Sequence, residues 1–444
     1  MFDRLKSYFH FLMVPLSMGF SISAGASMGN LATTFGLLPQ DIATAQAYSL
    51  FSEQVSAAYY NPASLALNPR GELTVGALQV TPSLEVASKG GANPPTRTGR
   101  VLESEQTETV LFGMKTNLSS LTKFKTPVYL ALMAGVEKYG LEMLAFESNS
   151  SEEGQFMQYG QKPLFLSLSG AVNVMPGIHV GAGVRITLHA DATMRLETDL
   201  AGNTSNEELS VSAEPVLIPL FGMYFGLQDM LCADTKNCMW QGLDVAFSYR
   251  GSSNTQTTVD ANAVIPGTVS EPGLPLVVST LDAYQPMIIS LGARYQLTQQ
   301  LNVALTLEHQ NWSDLTSELT TDTIKDQAGL KFENTLIPRL GLQYAFSESI
   351  TLHSGLSFEA SPLTTTQSED VNLFDTDRAI AAVGLSKLYT ETNYLAFPLK
   401  IDLAYQYHSL VERDFDLVSN GAVYETITAS GDAHVASLSF SMMF

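Results

Sequence analysis

The chain has 444 residues, with 23 Lys and Arg against 44 Asp and Glu, a formal net charge of −21, 45% hydrophobic residues and 15% charged ones. Charge this sparse excludes a disordered chain or a long coiled coil, and the acidic balance excludes a nucleic-acid partner, whose phosphates are held chiefly by Lys and Arg. The length admits two or three ordinary domains or one large β-barrel.

At the N-terminus, Arg4 and Lys6 precede an apolar run from Phe9 to Ile22, followed by the small-x-small triplet Ala24-Gly25-Ala26. Residues 1–26 therefore read as a signal peptide cleaved after Ala26, the run being short for a spanning helix and broken by Pro15. Residues 27–70 show no strand alternation. They hold helix-compatible Gln40–Ala47 and Ala57–Ala66.

Beyond residue 70 the apolar pattern has period 2, the mark of strands. Val180, Ala182, Val184, Ile186 and Leu188 oppose His179, Arg185, Thr187 and His189; Ile401, Leu403, Tyr405 and Tyr407 oppose Asp402, Gln406 and His408. No run of about 20 apolar residues exists for a spanning helix. Fourteen strands are expected near 72–87, 106–117, 125–139, 157–175, 178–193, 211–226, 240–255, 285–297, 299–313, 335–347, 349–361, 378–389, 397–412 and 429–444. Long, polar, acidic connections near 88–105, 140–156, 194–210, 256–284, 314–334, 362–377 and 413–428 alternate with short ones such as Pro176-Gly177. That rhythm belongs to an all-β, up-and-down antiparallel transmembrane barrel of the bacterial outer membrane, long loops outside and short turns in the periplasm. An even strand count puts both ends in the periplasm. The segment 27–70 then has the lumen as its available space and reads as a plug, with the barrel over 71–444.

Cys232 and Cys238, in LCADTKNC, are the two cysteines. They are too few for a Cys/His zinc pattern, and in an oxidising compartment they read as a disulfide closing one short periplasmic turn; two free thiols are the alternative. The last strand places Ala436, Leu438, Phe440 and Met442 between serines and ends on Phe444, resembling the sorting signal read by the outer-membrane barrel assembly machinery. Seven His are scattered singly, and neither a Gly-x-Ser-x-Gly elbow nor His-Glu-x-x-His occurs. No catalytic residue, metal site or cofactor is expected. Acidic pairs such as Glu152-Glu153 read as solvated surface or as partners of lipopolysaccharide through divalent cations.

Tyr59-Tyr60-Asn61-Pro62-Ala63-Ser64-Leu65-Ala66, followed by the Gly71–Leu84 strand with Pro82, resembles the N-terminal hatch and first strand of the long-chain fatty-acid transporter family (FadL/TodX type). Asn61, Pro62 and Ala63 are the most specific element. Tyr139-Gly140-Leu141, Pro338-Arg339-Leu340-Gly341 through Ser361-Pro362, and the terminal Phe444 extend the likeness over nearly the whole mature chain. The stretch Leu37–Asp41 departs from the Gly-rich pattern of the family. The resemblance implies a monomeric barrel with an N-terminal hatch in its lumen. It takes up hydrophobic compounds, long-chain fatty acids first among them, by loop capture, a lumen pocket and lateral release at a third-strand kink. That kink is carried to Tyr139 and Gly140. Outer-membrane lipids and lipopolysaccharide are the implied surroundings.

For capture the sequence offers Leu274 and Leu276 in the apolar run Pro272–Val278, and for the lumen path Phe221 in Pro215–Phe221, which is apolar on both parities. A carboxylate ligand calls for an inward arginine. Arg339 and Arg185 have inward parity, and Arg195 resembles a basic position of the family. Alkane or aromatic uptake, lipid export, or a structural or adhesive barrel are the alternatives, and a hydrocarbon would need no such arginine.

Overall fold

The structure, a computed structural model, describes residues 34–93, 99–100, 107–119, 126–136, 164–198, 204–232, 238–265, 269–321, 329–368, 375–391 and 395–444. The expected cleavage site and the kink at Tyr139 and Gly140 lie outside them. Fourteen strands form the wall: β1 Glu72–Gly90, β2 Thr107–Asn117, β3 Val128–Val136, β4 Leu164–Met175, β5 Ile178–Thr198, β6 Thr204–Gly226 and β7 Leu243–Arg250 come first. β8 Met287–Gln296, β9 Leu301–Asn311, β10 Thr335–Ser347, β11 Ile350–Glu359, β12 Arg378–Tyr389, β13 Leu399–Ser419 and β14 Ala422–Met443 complete it. Each pairs antiparallel with the next, and β14 pairs with β1 from Glu72/Met443 upward, closing an antiparallel barrel. At the seam Gly71 N donates to Phe444 O at 2.7 Å and Phe444 N to Gly71 O at 3.0 Å. Closure matters because an open edge would leave backbone groups unpaired in hydrocarbon.

Alternation sets the two faces. In β14, Val435, Ser437, Ser439 and Ser441 point inward while Phe440 points out; in β10, Arg339 and Gly341 point in while Leu336, Leu340, Leu342 and Tyr344 point out. Outward Tyr295, Tyr344, Phe346, Tyr389, Phe397 and Phe444 gather near the short-turn rim, the place of an interfacial aromatic girdle.

Three expected loops hold strand among their described residues. The stretch 413–428 continues β13 and β14 to a two-residue turn at Asn420-Gly421, with φ of 50° and 76°. Asn-Gly is the pair that such a hairpin turn favours, because both positions need φ above zero. The described parts of 194–210 similarly lengthen β5 to Thr198 and β6 from Thr204, and those of 256–284 belong to an outer antiparallel pair, Ser253–Ile265 with Val269–Gln285. The first of those two strands also pairs in parallel with Ala190–Glu197 of β5.

Residues 34–70 fill the lumen as short helical pieces, Pro39–Ala43, Ser49–Phe51, Ala57–Tyr60 and Pro62–Ala66. Nearly all of this segment is buried. The helix expected over Gln40–Ala47 stops early, at Ala43. Ala45 and Gln46 take left-handed backbone, φ 46° and 65°, under the inner wall.

Candidate functional site: the plugged lumen

Short helical pieces leave many carbonyls without partners, since the last turn of every helix has none of its own. Inward side chains of the wall supply the donors. Ser167 and Ser169 of β4 donate to Ala58 O at 3.0 and 2.6 Å, Thr306 of β9 to Ala47 O at 2.9 Å, and Gln406 of β13 to Ile42 O at 3.1 Å. Lys115 of β2 donates to Glu53 O and Asn68 O at 2.8 and 3.1 Å, and Arg339 of β10 to Ala45 O at 3.3 Å.

Asn61, Pro62 and Ala63 sit in a notch of the wall. Asn61 caps the Pro62–Ala66 turn by accepting from Ala63 N at 3.2 Å, and its amide donates to Leu50 O at 2.8 Å and Met223 O at 3.3 Å. The notch exists because Gly181 and Gly222 face each other across β5 and β6. A Cβ on Gly181 would stand 2.4 Å from Ala63 N, and one on Gly222 only 1.9 Å from Asn61 Oδ1. A second pair, Gly341 and Gly355, faces across β10 and β11 and receives Ala47-Tyr48 and Thr44-Ala45.

A buried charged belt runs along this contact. Glu308 of β9 accepts from Arg250 of β7 at 2.5 Å and from Arg339 at 3.3 Å; Arg339 also meets Glu359 at 2.9 Å, and Glu359 meets Arg378 at 3.5 Å. Arg250 lies 5.2 Å from the Tyr59 ring centre and 5.4 Å from that of Tyr60, while Arg185 donates to Gln285 Oε1 and lies 5.8 Å from the Tyr59 ring. Burial pushes the Tyr60 phenol well above its ordinary value, so the ring stays neutral beside the arginines. In the plug, burial likewise lifts Asp41 to about 6, against opposing hydrogen bonds from Ser49, Ser56 and Leu38 N. Toward the long-loop rim, Trp312, Leu315, Leu330, Phe332, Leu363 and Phe415 belong to one buried apolar cluster.

Of the residues singled out in the sequence, Arg339 and Arg185 point inward and are each 1% exposed. The belt links them through Glu308, Arg250, Tyr59 and Gln285. Arg195 lies farther out on β5, in register with Glu208 and Asn262. Leu274 and Leu276 belong to the outer antiparallel pair, opposite Ala263 and Ala261. Phe221 faces away from the lumen, 36% exposed on the outer side of the wall; strand parity puts Ile218 and Leu220 inside instead. Cys232 and Cys238 are joined in a disulfide after the helix Leu227–Leu231, between β6 and β7 at the short-turn rim. Sequence reasoning missed Arg250, Glu308, Glu359 and Gln285 as members of one cluster, although Arg250 and Glu308 occupy alternate polar positions of apolar strands.

The family described as "Outer membrane protein transport protein (OMPP1/FadL/TodX)" matches residues 20–444. "Alkane uptake protein A" of Marinobacter nauticus is 43% identical over 438 residues, covering 97% of this chain and 95% of that protein. Among solved structures, a Pseudomonas aeruginosa FadL homologue superposes with a TM-score of 0.58 at 16% identity, covering 95% of this chain and 99% of its own. The P. putida toluene transporter TodX gives 0.55 at 12% identity, with 93% and 99% covered. Closed wall, filled lumen and a match across almost every residue lead to one conclusion: the chain belongs to the FadL/TodX family of outer-membrane transport proteins, a β-barrel transporter of hydrophobic compounds.

Proposed function

We propose that this protein takes up hydrocarbons, long alkanes in particular, rather than fatty acids. The observation that carries the reading is the position of Arg339. An inward arginine meant to read a carboxylate needs donors to offer, yet this one is bracketed by Glu308 and Glu359 and also caps Ala45 O. A buried arginine so paired is a brace, and breaking it would cost more than a ligand carboxylate repays. An alkane asks for no such group. The similarity to an alkane uptake protein supports the same substrate class.

In this reading the apolar compound enters at the long-loop rim, beside the buried Trp312–Phe332 cluster, and the hatch at Asn61-Pro62-Ala63 shifts off its glycine notch to let it pass. Arg185 serves with Arg339 in holding the hatch, and Leu274 and Leu276 belong to the receiving loop. Release is sideways, at Tyr139 and Gly140. A deletion strain supplied with radiolabelled hexadecane or oleate tests it. Loss of hexadecane uptake with oleate uptake intact is expected. Loss on oleate alone would return Arg339 and Arg195 to carboxylate recognition.

A further inference from the structure

A β-bulge re-aims the upper part of β13. Its register with β14 shifts between Leu410 and Arg413, so that Arg413, Phe415 and Leu417 take the inward side that Asp402, Gln406 and His408 hold lower down. Above the bulge lies one buried apolar cluster whose members come from far apart on the wall. Val86 belongs to β1, Ile427 to β14 and Phe415 to β13, while Leu363 lies between β11 and β12, Phe332 just before β10 and Tyr284 just before β8. In a closed ring of fourteen strands, β8 stands opposite β1. A single cluster that holds residues from both sides therefore crosses the mouth.

Two short segments form the bar of this crossing. Lys331–Glu333 and Pro362–Thr365 lie edge to edge through the Phe332/Leu363 bridge, with Glu333 N donating to Pro362 O at 2.8 Å and Thr364 N to Lys331 O at 2.9 Å. Two ties fasten the bar to β13. Gln367 and Ser368 pair in parallel with Asp416 and Leu417, and below them Arg413 grips it by its side chain. The guanidinium donates to Leu363 O at 2.6 Å, to Ser361 Oγ at 3.0 Å and to Asp375 O at 3.1 Å, and its carbon lies 5.3 Å from the Phe415 ring centre. Ser361 in turn donates from Oγ to Asp375 Oδ2 at 2.6 Å and from N to Asp377 Oδ1 at 2.8 Å. One planar cation thus gathers acceptors from both ends of the connection between β11 and β12, a task that needs the fork of N–H groups only arginine carries.

We propose that this apolar bar is an entry gate and that Arg413 is the positioning residue that keeps it shut. A hydrocarbon can part Leu363 and Phe332 from Phe415 because it replaces apolar contacts with its own. A polar solute would give up its water there for nothing it can bond. The gate lies outward of the charged belt and the hatch, so the two barriers act in series. The inference rests on entry at the long-loop rim, as in the reading above.

The first test places a reporter, Ala429→Cys, inside the cluster at a position 5% exposed, the two natural cysteines being tied up in their disulfide. A membrane-impermeant maleimide added to intact cells should modify it slowly, and about tenfold faster once Arg413→Gln is added, the change expected for loss of one charged hydrogen bond. Ser361→Ala removes an acceptor from the other side and should act in the same direction, should the first variant not assemble. The heat-induced gel-mobility shift should stay where it is, because the β13–β14 ladder is untouched. Equal labelling in all three proteins overturns the latch, and so does a fall in that temperature that accounts for the faster labelling.

The second test joins Gln367→Cys to Asp416→Cys, neighbours in the parallel pair, to bolt the bar down. Hexadecane uptake should fall on oxidation and return with a reductant that leaves uptake by the natural protein unchanged; uptake indifferent to the bolt overturns the gate. Because the labelling uses no substrate, a natural protein that takes up no hexadecane would sink the hydrocarbon reading and leave the latch to stand or fall on the reporter.

Discussion

Arg339 illustrates how parity can place a side chain correctly without naming its partners. Alternation put it inside, next to Gln343 and opposite Leu340, and it is inside; what alternation cannot express is the register that brings Glu308 and Glu359 to it from two other strands. Arg339→Gln should leave those carboxylates facing one another without their shared cation, at about 3–5 kcal/mol for a buried pair broken on one side. A lower temperature for the heat-induced gel-mobility shift is the expected reading, with hexadecane uptake falling and oleate uptake unchanged. Oleate falling alone would show that the guanidinium recognises a carboxylate. The glycines of the notch are a different case, since nothing local distinguishes Gly181 from other wall glycines until the plug is known to press on it. Gly181→Ala would push a methyl against the Pro62–Ala63 backbone, 2.4 Å from its nearest atoms. Overpacking of this kind costs about 1–3 kcal/mol. The barrel should still fold, and planar-bilayer recordings should show more frequent openings than in the natural protein.

Among the elements, the wall strands were legible because period 2 survives wherever one face meets lipid and the other the plug. Their upper ends were not, since above the belt the outward face of β13 and β14 turns polar and acidic while the inward face mixes Phe415, Leu417, Ile427 and Ala429 with the buried Glu425, so the pattern fades into what looks like loop. The Asn420-Gly421 pair was the available signal for that hairpin. The plug was legible as an element without strands, yet its internal turns were not: Ala45 and Gln46 adopt left-handed backbone that costs roughly 1–2 kcal/mol per residue without local support, and the support is Arg339 and Gly355 on the wall. This element also carries a titratable group. Asp41 is raised to about 6 when docked and returns to the ordinary carboxylate range near 4 when the plug is released into water, so the docked state binds the proton more tightly. Docking is therefore firmest below about pH 4 and weakens as pH rises toward about 6, by at most ~3 kcal/mol for two units of difference, and is level above that. Open-channel events should be rarer at pH 5 than at pH 7.5. Asp41→Asn should hold the low-pH level throughout, and an unchanged pH response in that variant would remove Asp41 from the account.

At the scale of the whole molecule, closure depends on a small contact. Phe444 and Gly71 exchange two hydrogen bonds, the Phe444 ring lies where a Cβ on Gly71 would be, 2.3 Å from its edge, and Phe397 packs at 6.0 Å from the ring centre. Gly71→Ala should displace that ring and lower the heat resistance of the folded barrel by about 1–3 kcal/mol, read as an earlier gel-mobility transition; no change would mean the seam is held by the β1–β14 ladder alone. The same global view bears on the plug. Its tethers come from β2, β4, β9, β10 and β13, spread around the circumference like spokes to a hub, so no single side can be peeled while the rest follow. Under the proposed hatch movement, a molecule arriving beside β9 and β10 would meet the spokes at Ala45 and Ala47 while those at Ala58 stay fastened, so the direction of approach would choose which arc of the lumen opens.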